Sequence, residues 1–106
     1  IKPTATPTPS DTTPPLVVLT APVTNTTVNR NTAVWLYATA TDSISGVQRV
    51  EFYVNGVYKC TDTTSAPYSC KWNVPNRRNV QYTITAKAWD NRGNVATSPI
   101  VKVTAR

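Results

Sequence analysis

Thr and Val supply 33 of the 106 residues (19 Thr and 14 Val), against three Leu and no Met. Both branch at Cβ, which crowds the preceding turn of a helix but packs well on a pleated sheet. No window sustains a helical apolar period, whereas several windows alternate apolar and polar residues. The chain is therefore predicted to be all-β. A hydrophobic fraction of 40% in a chain of this length bounds it to one domain.

Composition divides the chain near its start. The first 15 residues hold five of the nine prolines and only two charges. Pro3-Thr4-Ala5-Thr6-Pro7-Thr8-Pro9-Ser10 cannot bury a core and favours extended polyproline II. Residues 1–13 read as a Thr/Pro-rich linker and 14–106 as the folded domain, about 90 residues and enough for a two-layer sandwich. With Ile1 rather than Met at its start and no signal-peptide pattern, the chain is expected to be a module of a longer polypeptide. No stretch approaches the roughly 18 apolar residues of a membrane helix, so no insertion is expected.

Strand signals recur at sandwich spacing. Leu16 to Leu19 is a continuous apolar run, and Val28 follows a bend at Pro22. Ala33 to Thr41 alternates, with Val34, Leu36, Ala38 and Ala40 inward and Trp35, Tyr37, Thr39 and Thr41 outward. Val50, Phe52 and Val54 run into Asn55-Gly56, the strongest short hairpin signal. The returning strand is expected to carry Tyr58 and Cys60 on one face. Tyr68, Cys70 and Trp72 form another inward set, as do Tyr82, Ile84, Ala86 and Ala88, and finally Val101 and Val103. The predicted fold is a two-sheet antiparallel sandwich of about seven strands, immunoglobulin-like or fibronectin-type-III-like.

Catalysis has little to draw on. The chain holds no His, which excludes Ser-His-Asp and Cys-His arrangements and His-ligated zinc. One Glu, four Asp and three Gly leave few acid–base pairs and no phosphate-cradling loop. A non-catalytic module is expected. Cys60 and Cys70, ten positions apart, suit a structural disulfide between neighbouring strands. The alternative is two buried thiols of a cytosolic protein; the Thr/Pro-rich flank favours export and the disulfide.

An ordered series of segments carries a family resemblance. It runs through Asp11-Thr12-Thr13-Pro14-Pro15, Val50-Glu51-Phe52-Tyr53-Val54-Asn55-Gly56 and Ala66-Pro67-Tyr68-Ser69-Cys70-Lys71-Trp72. It continues in Tyr82-Thr83-Ile84-Thr85-Ala86-Lys87-Ala88 and Asp90-Asn91-Arg92-Gly93-Asn94. The series resembles the bacterial immunoglobulin-like modules of secreted chitinases, other glycoside hydrolases and subtilisin-like proteases. That resemblance implies a seven-stranded sandwich, an extracellular setting, and a role as spacer, stalk unit or accessory binding domain. The chain departs from the usual pattern at Cys60, Cys70, Trp35 and Tyr37.

Three surfaces are candidates for function. Trp35 and Tyr37, outward on one strand with Lys71 and Ser69 beside them, suit a platform for sugar rings or for a neighbouring domain. The bland reading is cross-strand aromatic packing that stiffens a small sheet. Trp89 is a second outward aromatic, expected beside Tyr53 and Lys87. Asp11, Asp42 and Asp90 gather at the entry end of an immunoglobulin-like path, with Asp62 nearby, and suit a calcium ion at a domain junction. The alternative is loop capping, since Asp and Asn bond their own backbone two residues on. Apart from calcium, no cofactor is expected. Arg30, Arg77, Arg78 and Arg106 fall at the opposite end of a chain whose formal charge is +6. This asymmetry favours head-to-tail contact between modules, or attraction to anionic glycans or a cell surface. The expected partners are neighbouring domains of the same polypeptide and polysaccharide or cell-surface glycan. Nucleic acid is not expected, for want of a recognition motif or basic helix. The isolated domain is expected to be a monomer.

Overall fold

A computed structural model describes residues 13–106. The linker expected over 1–13 lies almost wholly outside the described residues, as does Asp11. Nine strands follow in order: β1 (Leu16–Ala21), β2 (Thr26–Val28), β3 (Ala33–Thr41), β4 (Val47–Val54), β5 (Val57–Asp62), β6 (Tyr68–Asn73), β7 (Val80–Asp90), β8 (Val95–Thr97) and β9 (Val101–Ala105). They form a small sheet, β1-β3-β6, and a large one, β2-β9-β7-β4-β5, with β8 also pairing β7. The architecture is the expected immunoglobulin-like sandwich. The two additions to the expected seven strands are the three-residue β2 and β8, and β2 joins β9 in parallel.

Period-two alternation builds the core directly. Leu36, Ala38 and Ala40 on β3 face Val50, Phe52 and Val54 on β4 and Ile84, Ala86 and Ala88 on β7, all buried. At one end of the core the large rings meet. Trp72 of the small sheet packs edge-to-face on Tyr82 of the large sheet, centroids 5.1 Å apart and planes 72° apart. Such a pair adds about 1 kcal/mol to the stabilisation from ring burial alone.

Turns and breaks follow local chemistry. Asn55 and Gly56 take φ of 51° and 79°, the double positive φ of the two-residue hairpin that joins Val54 to Val57. Pro99 interrupts the last strand. Just before it, buried Ser98 closes the gap between β8 and β9, accepting from the Ala86 amide at 2.9 Å through Oγ and donating its own amide to the Ala86 carbonyl at 2.8 Å.

One expectation on β5 needs correction. The β4–β5 register shifts between Phe52 and Tyr53, pairing Phe52 with Cys60 but Tyr53 with Tyr58. This bulge inserts Lys59 as an unmatched residue. Cys60 therefore turns inward while Tyr58 stays 53% exposed, so the two lie on opposite faces.

The disulfide forms between Cys60 and Cys70, Cα atoms 6.0 Å apart. It joins consecutive strands, but not strands of one sheet. β5 edges the large sheet and β6 edges the small one, so the bridge pins the open side of the sandwich.

Candidate functional site

The outer face of the small sheet holds the aromatic pair. Trp35 and Tyr37 are 50% and 37% exposed, centroids 6.4 Å apart and planes 24° apart. The β3–β6 register sets Lys71 opposite Trp35 and Ser69 opposite Tyr37. On β1, Leu16 and Val18 extend the apolar strip, 70% and 41% exposed. The structure thus brings Trp35, Tyr37 and Lys71 onto one surface, because β3 alternates without a bulge and runs between two partners.

The outer face of the large sheet carries a polar network that the sequence reading missed. Arg49 bonds Glu51 Oε2 through Nε at 3.0 Å and lies over the Trp89 ring at 4.0 Å from its centroid. Tyr53 donates its hydroxyl to Glu51 Oε1 at 2.6 Å, stacks edge-on with Tyr58, and lies beneath the Lys87 ammonium. Trp89 therefore keeps company with Arg49, and Lys87 rather than Trp89 is the neighbour of Tyr53. The signal was present as Arg49-x-Glu51-x-Tyr53, outward positions two apart on one strand.

Electrostatics within this network are coupled. The hydrogen bond to Glu51, then burial and the Glu51 charge, push the Tyr53 phenol up to about 12. Burial draws the Glu51 carboxyl upward, but the bonds from Tyr53 and Arg49 and the charges of Arg49 and Lys87 outweigh it and hold it below its ordinary value. The phenol's raised value means that its contribution is complete below about pH 10 and is lost as pH rises toward 12. The carboxyl's lowered value means that its contribution is present near neutrality and lost as pH falls through that value. Glu51→Ala is expected to return the Tyr53 titration toward about 10, read by tyrosinate absorbance. Superimposable curves for wild type and variant would count against this coupling.

The acidic end consists of two docked loops. Asp42 Oδ1 accepts from the amides of Ile44 and Ser45 at 3.0 and 3.1 Å, while Asp42 Oδ2 is buried without a partner. Asp90 is 1% exposed and caps its own turn, taking the amides of Arg92 and Asn94 on Oδ1, both at 2.9 Å. Asn91 fastens the loops together, donating through Nδ2 to the Ser45 carbonyl at 2.7 Å. Asp62 closes the β5–β6 loop, with Oδ1 on the Thr64 amide and hydroxyl and Oδ2 on the Ser69 amide. Burial draws the Asp62 carboxyl upward, yet these bonds outweigh it and hold it below the usual range. A cleft of about 570 Å³ opens beside these loops, lined by Leu16, Ala40, Asp42, Ile44, Val47 and Tyr68 among others. Of the calcium candidates, Asp42 and Asp90 come into adjoining loops and Asp11 lies outside the described residues. Among the described residues no three metal-ligating side chains cluster.

The opposite end gathers the arginines. Arg30 donates its amide to the Arg106 carbonyl at 3.0 Å and its Nε to Asn76 Oδ1 at 3.0 Å, beside Arg77 and Arg78.

Comparison with known proteins agrees with this architecture. No curated protein matches the sequence. Among solved structures, the chain is similar to the fibronectin(III)-like modules of Clostridium thermocellum CbhA, with 28% identity and a TM-score of 0.73, covering 85% of this chain and 94% of that one. The SrpA adhesin of Streptococcus sanguinis shares the fold, with 22% identity and a TM-score of 0.61 over 91% of this chain and 59% of that one. So does the endo-beta-1,4-mannanase of Thermotoga petrophila, at 8% identity and a TM-score of 0.62 over 91% of this chain and 20% of that one. The bacterial Ig domain family matches residues 15–86, more than half of the chain. With the family matched over more than half of its length and the two-sheet sandwich topology that goes with it, the chain belongs to the bacterial Ig domain family, as a small immunoglobulin-like module.

Proposed function

We propose that the domain is a spacer and stabilising module that holds its neighbours in a larger secreted polypeptide at a fixed separation. The observation that carries this reading is the placement of entry and exit. β1 begins opposite Thr41, beside the 42–46 and 90–94 loops, whereas β9 ends opposite Val80, beside the arginine loops. A polypeptide passing through the domain thus advances by the length of β7, whose eleven residues span about 35 Å. The inter-sheet disulfide stiffens that span and suits an extracellular setting. Spin labels at positions 13 and 106 are expected to report a single narrow distance distribution. A broad one, like that of a flexible chain, would reject the rigid spacer.

The half-exposed pair Trp35 and Tyr37, with Lys71 in register, favours a second reading as a carbohydrate-binding face. On this reading Trp35→Ala abolishes retention on whichever polysaccharide the wild type binds, neutral (chitin, cellulose, starch) or acidic (polygalacturonate), without lowering the melting temperature. Equal retention of wild type and variant would remove it.

A further inference from the structure

The arginine end adjoins the start of β3, where Val74 donates its amide to the Thr32 carbonyl at 2.8 Å, and the described carboxylates lie away from that end. Arg30, Arg77, Arg78 and Arg106 are drawn together by two loops and the last strand. Asn31 donates its amide to the Val74 carbonyl at 3.0 Å, and Asn79 donates its amide to the Ala105 carbonyl at 2.7 Å. Asn76 holds the Arg30 guanidinium, while Arg77 and Arg78 stand exposed next to it.

The described carboxylates are all engaged elsewhere. Asp42, Asp62 and Asp90 accept backbone amides at the other end of the sandwich, and Glu51 is paired with Arg49. Guanidinia gathered without counter-charge repel one another and favour an external anion, and their planar forks match carboxylate and sulfate groups.

Strand register extends this surface toward Trp35. Ala33 pairs with Asn73 and Trp35 with Lys71, so the Trp35 backbone lies roughly 10 Å along β3 from Thr32, where the Arg30 loop ends. On β6, Asn73 occupies the outward position between them and Lys71 stands opposite Trp35. An aromatic ring, hydroxyl and amide side chains around it, and cations at one end form a consistent set. The ring stacks on a sugar, Ser69 and Asn73 meet hydroxyls, and the arginines meet anionic substituents.

We propose that Trp35, Lys71 and the Arg30, Arg77 and Arg78 cluster form one site for an acidic polysaccharide. This rests on the second reading above and assigns its ligand class; the spacer reading does not depend on it.

The test is isothermal titration at physiological salt with polygalacturonate, chondroitin sulfate, neutral cello-oligosaccharide and single-stranded DNA. Saturable binding of polygalacturonate or chondroitin sulfate is expected, with a change in tryptophan fluorescence. Arg77→Ala/Arg78→Ala is expected to weaken it about tenfold at unchanged melting temperature. Lys59→Ala/Lys102→Ala removes the same charge away from the site and is expected to cost less than about twofold. Trp35→Ala is expected to weaken binding as well. Equal loss in the two double variants would reduce the effect to net charge and overturn the site. Binding that needs the arginines but not Trp35 overturns the shared site, as does DNA binding as tight as glycan binding. Trp35-dependent binding of the neutral oligosaccharide alone overturns the acidic ligand and leaves the second reading standing.

Discussion

Trp72→Ala is expected to lower the unfolding free energy by about 4 kcal/mol, the range for removing a buried aromatic from a core that cannot collapse around it. Trp72 is 2% exposed, is carried by β6 at the edge of the small sheet, and reaches across to Tyr82 of the large one. Truncation removes the inter-sheet ring contact as well as the burial, and leaves a void between sheets whose backbones are fixed by their own ladders. In a domain this size the melting temperature falls by roughly 20 °C. Trp35→Ala supplies the comparison. The same chemical change on the 50% exposed indole is expected to stay within about 0.5 kcal/mol. Denaturant melts of the two variants side by side check both values. A Trp72→Ala loss no larger than that of Trp35→Ala would mean that the aromatic end of the core does not hold the sheets together.

Reducing the Cys60–Cys70 bond is expected to cost about 3 kcal/mol, the chain-entropy value for a closed loop of this length. The sequence separation is ten, short for a stabilising bridge, but the bond joins edge strands of opposing sheets that share no backbone ladder. Its loss frees the β5–β6 side, where Asp62 still bonds the amides of Thr64 and Ser69 and β5 keeps its ladder to β4. A melting temperature lower by roughly 10 to 20 °C in reductant is expected. Hydrogen exchange should rise first in β5 and β6. A melting temperature indifferent to reductant would assign the stiffness of this side to packing alone.

How much of the molecule is legible in the chain depends on whether the rule involved is local. Leu36, Ala38 and Ala40, or Ile84, Ala86 and Ala88, announce their inward direction because a strand without a bulge turns alternate side chains to opposite faces. The Asn55-Gly56 turn is equally local, being a matter of which residues accept positive φ. Tyr58 and Cys60 depart from that alternation, since the bulge at Phe52 and Tyr53 shifts the register by one residue without a mark in composition. Exposure of Trp35 and Tyr37 was likewise readable, and the Arg49, Glu51 and Tyr53 ladder was present in the spacing but went unread.

Side-chain shape and residue type are enough to give the all-β class, the strand faces, the hairpin and the cysteine pair, since each rests on a rule that acts within a few residues. That the disulfide spans the two sheets, that Lys71 stands opposite Trp35, and that Arg30 meets Asn76 across 46 positions of chain emerges from the packed fold alone. These are pairings between segments distant in sequence. They are set by which strands share a ladder and by how two twisted sheets bury one another, and no local pattern encodes that choice.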